Sequence, residues 1–102
     1  MVIYTTKIEY SNTLNIYLEW RLDIKIAFGR VLRRVRKEGK NKMSQERLAL
    51  EADIDRAHVS KLEQGAFQPT LATIFELAKV LECTPAELVD LVDKELRSNQ
   101  DI

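Results

Sequence analysis

Arg56, Ala57, His58, Ser60 and Lys61 crowd into one short stretch, a set rich in hydrogen-bond donors with no nucleophile–base pair among them. Arginine and lysine can donate to the O6 and N7 acceptors that guanine presents in the major groove, and an alanine methyl can touch the methyl of thymine. The same two cations serve equally for contact with phosphate oxygens or for solubility. His58 reads as a base or phosphate contact, or as a side chain half-buried at a helix edge. It is the only histidine, and the chain has one cysteine, Cys83, so no cluster has metal-ligand spacing. No glycine-rich phosphate loop is present either, and the expectation is a protein with no catalytic residues, no metal and no cofactor.

Side chains that read a duplex must be held on a rod, and residues 44–65, SQERLALEADIDRAHVSKLEQG, supply one. Ser44 is an N-cap type, and Leu48, Ala49 and Ala52 give an apolar face. Asp53-Ile54-Asp55 interrupts that pattern before Val59 and Leu62 resume it, and Gly65 suits the left-handed position just past a helix end. Two capped short helices joined by a three- or four-residue turn are the footprint of a DNA-reading helix-turn-helix. With Val59 and Leu62 turned inward, Arg56, Ala57, Ser60 and Lys61 are left on outward or flanking positions. Ser44-Gln45 opens the preceding helix, where free backbone N–H groups favour a phosphate oxygen. Ser44 also reads simply as a cap.

The chain has 102 residues, room for one compact domain and not for a second, ligand-sensing one. Sixteen basic and sixteen acidic side chains cancel, but the average conceals an asymmetry. Residues 24–68 carry eleven Lys or Arg against six Asp or Glu, whereas residues 69–102 carry three against seven. The middle is the candidate surface for a polyanion, and the acidic end faces away from it. A lone cysteine, the lack of an apolar run of roughly 20 residues and the lack of a secretory start point to a soluble, cytoplasmic protein.

The remaining elements frame this centre. In residues 1–22, Leu14, Ile16, Leu18, Trp20 and Leu22 alternate with Asn15, Tyr17, Glu19 and Arg21, and Ser11-Asn12 sits before them as a tight turn. That period of two reads as a β-hairpin, while Leu14, Tyr17, Leu18, Arg21 and Leu22 also fit the spacing of a helix. A two-stranded hairpin is marginal alone, so the arm is expected to pair, most simply with a second copy of itself. Ile24–Glu38 is expected to form the first helix, burying Ala27, Phe28, Val31, Leu32 and Val35. The basic loop Gly39-Lys40-Asn41-Lys42 follows, with Lys42 a candidate phosphate contact. Thr70 caps a helix expected to bury Leu71, Ile74, Phe75, Ala78 and Leu81. Thr84-Pro85-Ala86-Glu87 is a capping-box start for a last helix with Leu88, Leu91 and Val92 inside. Five helices result, with an arm over 1–23, a DNA-binding domain over 24–93 and a polar tail over 94–102.

From Phe28 to about Val92 these residues resemble the Cro/repressor-like helix-turn-helix domain of the Xre family of bacterial and phage transcription regulators. The resemblance rests on Phe28-Gly29 with Leu32 and Arg36, on Met43-Ser44-Gln45 with Leu48-Ala49, and on Val59-Ser60-Lys61-Leu62-Glu63-Gln64-Gly65. Pro69-Thr70-Leu71 with Leu77, Ala78 and Leu81 completes it. It implies an all-α, five-helix, lambda-repressor-like domain whose recognition helix, Asp55–Gln64, lies in the major groove. It further implies that Gln45 approaches the DNA backbone or a base edge, and that Glu63 pairs with the first-helix arginine, here Arg36. Gln64, Ala66 and Gln68 stand where relatives often place Asn, Lys or Arg against phosphates. The charges missing there could come instead from Arg33, Arg34, Lys40 and Lys42. Asp53 replaces the usual turn glycine, and aspartate tolerates left-handed angles. The loop between Arg36 and Ser44 is about two residues longer than usual in the resembled family.

The expected function is therefore sequence-specific binding of double-stranded DNA by a homodimeric repressor or autoregulator reading a palindromic operator, with no membrane and no small-molecule partner. Ser44, Gln45, Arg56, Ala57, His58, Ser60, Lys61, Gln64, Gln68 and Lys42 are its candidate contacts. The rival reading is an antitoxin-like or adaptor module whose main partner is another protein gripped by the N-terminal arm, where Tyr4, Tyr10, Tyr17 and Trp20 are aromatic types favoured at interfaces.

Overall fold

The computed structural model describes the backbone of residues 10–100 and the side chains of residues 24–98. Five helices follow one another: α1 (Tyr10–Glu38), α2 (Gln45–Ala52), α3 (Arg56–Glu63), α4 (Leu71–Val80) and α5 (Pro85–Gln100). No strand occurs among the described residues. Each helix contributes one leucine to the centre, Leu32, Leu48, Leu62, Leu77 and Leu88, and Val31 and Val59 are fully buried beside them. Burying each such side chain contributes about 1.5–3 kcal/mol, so the layer they share outweighs any single cap. α1 packs on α3 and α5, α2 on α3 and α4, and α4 on α5.

The helix starts follow the sequence. Ser44 Oγ accepts from Arg47 N at 3.0 Å, and Thr70 Oγ1 accepts from Thr73 N at 3.1 Å. At Thr84 the capping box is complete: Glu87 N donates to Thr84 Oγ1 at 3.0 Å and Thr84 N donates to Glu87 Oε1 at 2.8 Å. The ends of α2, α3 and α4 share one geometry. Asp53 (φ 59°), Gly65 (φ 76°) and Glu82 (φ 61°) are left-handed, and the next residues, Ile54, Ala66 and Cys83, donate back to Ala49, Lys61 and Ala78 at 2.9–3.0 Å. Aspartate thus takes the place of glycine in the helix-turn-helix turn, as its short polar side chain permits.

Two expectations are corrected. The second strand of the proposed hairpin is helix: α1 begins at Tyr10, fourteen residues before Ile24, and runs without a break across the 23/24 boundary assigned to the arm. A preformed helix at residues 24–38 removes the nucleation cost, so Leu14, Tyr17, Leu18 and Leu22 extend it at helical spacing rather than turning back. The first strand falls mostly on residues 1–9, outside the described residues.

Leu71 and Phe75 were expected in the core, yet they are 68% and 54% exposed. At about 100° per residue, Ile74, Leu77, Ala78 and Leu81 form one narrow stripe, and Leu71 and Phe75 lie to one side of it. Leu77 occupies the central place instead. Arg34, one of the cations expected to form a basic patch, donates through Nη1 to Glu95 of α5 at 3.2 Å while its side chain stays exposed.

Candidate nucleic-acid interface

The orientation of α3 is set by what it cannot expose. Val59 and Leu62 are fully buried, so the opposite side of this two-turn helix must face solvent. Arg56, Ala57, Lys61 and Gln64 are exposed, and His58 and Ser60 are partly buried at its flanks. Asp55 precedes the helix in extended conformation, so Arg56 and Ala57 occupy its first turn, the end that enters a major groove. Gln64 Nε2 donates to Ser60 Oγ at 3.0 Å, so those two side chains are presented as a linked pair.

Behind α3 lies an ion pair that fixes its position. Arg36 of α1 donates through Nε to Glu63 Oε2 at 2.6 Å and through Nη2 to Glu63 Oε1 at 2.9 Å, a planar two-point grip. Its third nitrogen, Nη1, donates to the Met43 carbonyl at 3.0 Å, which ties in the segment before α2. The Arg36 and Glu63 side chains are only 10% and 3% exposed. The hydrogen bond to Glu63 raises the Arg36 pKa above the ordinary guanidinium value, against the opposing effect of burial. The pair that the resemblance implied is therefore present, and it orients helices.

Gly29 allows the close crossing of α1 on α3. A Cβ there would stand 2.5 Å from the Leu62 carbonyl oxygen and 2.6 Å from that of Glu63. Only a residue without a side chain fits against that backbone. Gly65 does similar work at the far end of α3, combining its left-handed φ with backbone contact against Ile26.

The other expected contacts are distributed unevenly. Ser44 is exposed and caps α2, with its hydroxyl oxygen committed to Arg47 N. Gln45 is partly buried, and its Nε2 donates to Glu63 Oε1 at 2.9 Å, so its amide nitrogen completes the ion-pair network. The signal for this was available in sequence only through Glu63, whose second oxygen has lone pairs left after pairing with Arg36. Lys42 and Gln68 are exposed on the loops flanking the helix-turn-helix. Asn41 Nδ2 donates to Glu82 Oε2 at 2.6 Å, which fastens the long basic loop to the turn between α4 and α5.

One neighbour of the reading surface escaped the sequence analysis. Phe67, in the connector after α3, is 44% exposed. Its ring lies 5.7 Å from the His58 ring, tilted by 39°, and Lys61 Nζ sits 5.6 Å from its centroid. An aromatic residue in an otherwise small and polar connector, Gly65-Ala66-Phe67-Gln68, was the available signal.

No group of three or more His, Cys, Asp or Glu with metal-binding geometry occurs among the described residues. No described helix is long and apolar enough to cross a membrane.

Comparison with known proteins places this geometry. A helix-turn-helix family model matches residues 32–88. The control protein C.MunI of Mycoplasma sp is 38% identical over 73 residues, 72% of this chain and 97% of that protein. The control protein C.BamHI of Bacillus amyloliquefaciens is 37% identical over 68 residues, covering 67% of this chain and 83% of the other. Among solved structures, the restriction-modification controller protein C.AhdI of Aeromonas hydrophila superposes with a TM-score of 0.58 at 36% identity, over 63% of this chain and 94% of its own. The clp gene regulator ClgR of Corynebacterium glutamicum reaches 0.68 over 74% of this chain and 79% of its own, and at 17% identity that likeness concerns the fold alone.

Proposed function

Because the chain belongs to the helix-turn-helix family, we propose that it is a transcription regulator that binds double-stranded DNA through α3 and controls restriction–modification genes as a homodimeric repressor or autoregulator. The observation that carries the reading is the division of α3: Val59 and Leu62 are wholly inside, and Arg56, Ala57, Lys61 and Gln64 are outside on one face. Arg56 in the first turn is the bidentate donor to guanine, and Ala57 beside it offers a methyl to thymine. Ser44, with the free N–H groups opening α2, and Lys42 serve the phosphate backbone. Gln68 adds an uncharged contact where a cation would strengthen binding, so the salt dependence is shallow for this fold.

A domain of this size needs two half-sites, one helical turn or about 34 Å apart, for useful specificity, and a two-fold dimer supplies them. The helical extension at residues 10–23 is the arm through which two copies pair. Removing residues 1–22 and weighing the product by light scattering tests this: a truncated chain that stays dimeric puts the interface elsewhere. The setting is the cytoplasm.

The reading surface is tested by two substitutions with different signatures. Arg56→Ala changes base preference and costs about 1–3 kcal/mol on the cognate duplex, whereas Lys42→Ala weakens all sequences alike. If Arg56→Ala leaves affinity and preference unchanged, α3 is not the reading helix.

A further inference from the structure

Several exposed apolar features are not explained by the core or by the ion pair, among them Leu50 on α2, the side of α4 at Leu71 and Phe75, the groove between α1 and α5, and Phe67. Phe67 lies against two candidate contact residues, His58 and Lys61. We infer that Phe67 is a specificity-determining positioning residue: its ring holds Lys61 and His58 in place, so that the lysine ammonium addresses one base pair instead of roaming along the phosphates. The inference rests on the reading of α3 given above.

The argument begins with spacing. His58 and Lys61 are three residues apart on α3 and so project from the same side of the helix. Phe67 returns from the connector against both, with the lysine nitrogen 5.6 Å from its centroid and the imidazole 5.7 Å away. A cation within about 6 Å of a ring centroid is attracted by the ring quadrupole. Lysine on its own is a flexible point charge without the planar fork that lets arginine select a base geometrically. A surface that restrains its rotamers before DNA arrives lowers the ordering cost of a directed contact.

Any phosphate contact from this connector is limited to uncharged donors such as the Gln68 amide. Ala66, Phe67 and Gln68 carry no cation, so the segment adds no counterion-release contribution of its own. What it can add is geometry. Phe67 is 44% open to solvent, with Lys61 Nζ over its ring and the His58 imidazole tilted beside it.

The test separates a ring from mere apolar bulk. Binding of the full chain to a selected duplex, and to duplexes altered at each base pair, is measured for Phe67→Leu, Phe67→Tyr, Lys61→Ala and the Phe67→Leu/Lys61→Ala pair, with Arg56→Ala in parallel. Phe67→Leu lowers discrimination about two- to five-fold at the single base pair whose preference Lys61→Ala also abolishes, and Phe67→Tyr retains it. In the Lys61→Ala background Phe67→Leu has no further effect, the coupling expected of a positioning residue. If Phe67→Leu leaves every preference intact while Arg56→Ala shifts one, the role of Phe67 is overturned alone. If neither shifts any preference, the reading of α3 falls and this role falls with it.

Discussion

Gly29→Ala tests the crossing of α1 on α3 with the smallest possible change. The added methyl carbon would lie 2.5 Å from the Leu62 oxygen, where ordinary contact begins at 3.4 Å, so the helices must part by about 0.9 Å. The obstructing atoms are backbone, and no rotamer change can relieve them. Two effects oppose each other. Alanine in place of glycine within a helix gains about 0.5–1 kcal/mol, whereas forcing an extra carbon into a packed contact costs about 1–3 kcal/mol. The crossing also sets the Arg36 to Glu63 distances of 2.6 and 2.9 Å, so separation stretches that ion pair and places the cost at the upper end. The net loss is about 1–2 kcal/mol, a fall in Tm of roughly 5–15 °C for a domain of this size. Thermal unfolding followed by circular dichroism reads it directly. A Gly29→Ala chain that melts at or above the temperature of the natural one would show that helix propensity wins and that the close approach is not a constraint.

Three further outcomes follow from the same contacts. Arg36→Ala leaves the Glu63 carboxylate buried with Gln45 as its remaining hydrogen-bond donor and costs about 3–5 kcal/mol in urea unfolding, whereas Arg36→Met with Glu63→Leu recovers much of that loss; a single variant as stable as the natural chain contradicts this. Thr84→Ala removes the acceptor for Glu87 N and lowers stability by about 1 kcal/mol, while an unchanged urea midpoint would mean the capping box is idle. Burial, reinforced by Glu87 and opposed by Lys40, raises the Cys83 thiol pKa above its ordinary value. Folding therefore favours the protonated thiol: this contribution is complete below the unfolded pKa and is lost as pH rises through the folded one. Alkylation rates against pH should give a higher midpoint for the folded chain than for the urea-unfolded chain, and coincident midpoints would refute the burial argument.

The parts of the fold that were legible in the sequence are those where one residue type satisfies one local need. Ser44, Thr70 and Thr84 announce helix starts because each can satisfy an orphan N–H, and Asp53 and Gly65 announce ends because few residues accept a left-handed backbone. Val59 and Leu62 oriented α3 by period alone. The Arg36–Glu63 pair came from the family resemblance, since nothing in the spacing of two residues 27 apart reveals that they meet.

What escaped was decided by tertiary context. Residues 14–22 satisfy both the strand and the helix period, and only the helix already formed behind them decides the matter. Leu71 and Phe75 fit a helical apolar stripe as well as Leu77 does, and the angle at which α4 meets the core is not written in α4. Glu82 adopts left-handed angles without glycine or asparagine to signal it, held by the same hydrogen-bond pattern as its two counterparts. Gln45 stands at the family's contact position, and that its Nε2 also donates to Glu63 follows only from the packing of α2 on α3. Phe67 bears on the candidate site only because the chain folds back upon α3.

Selection of bound duplexes from a random pool by the full chain tests the central claim most directly, since it presumes neither the operator nor the interface. The account predicts an enriched sequence with two-fold symmetry and half-site centres one helical turn, or a small multiple of it, apart. A pool that emerges without any enriched sequence, although the protein is folded and Arg56 is exposed, would contradict it.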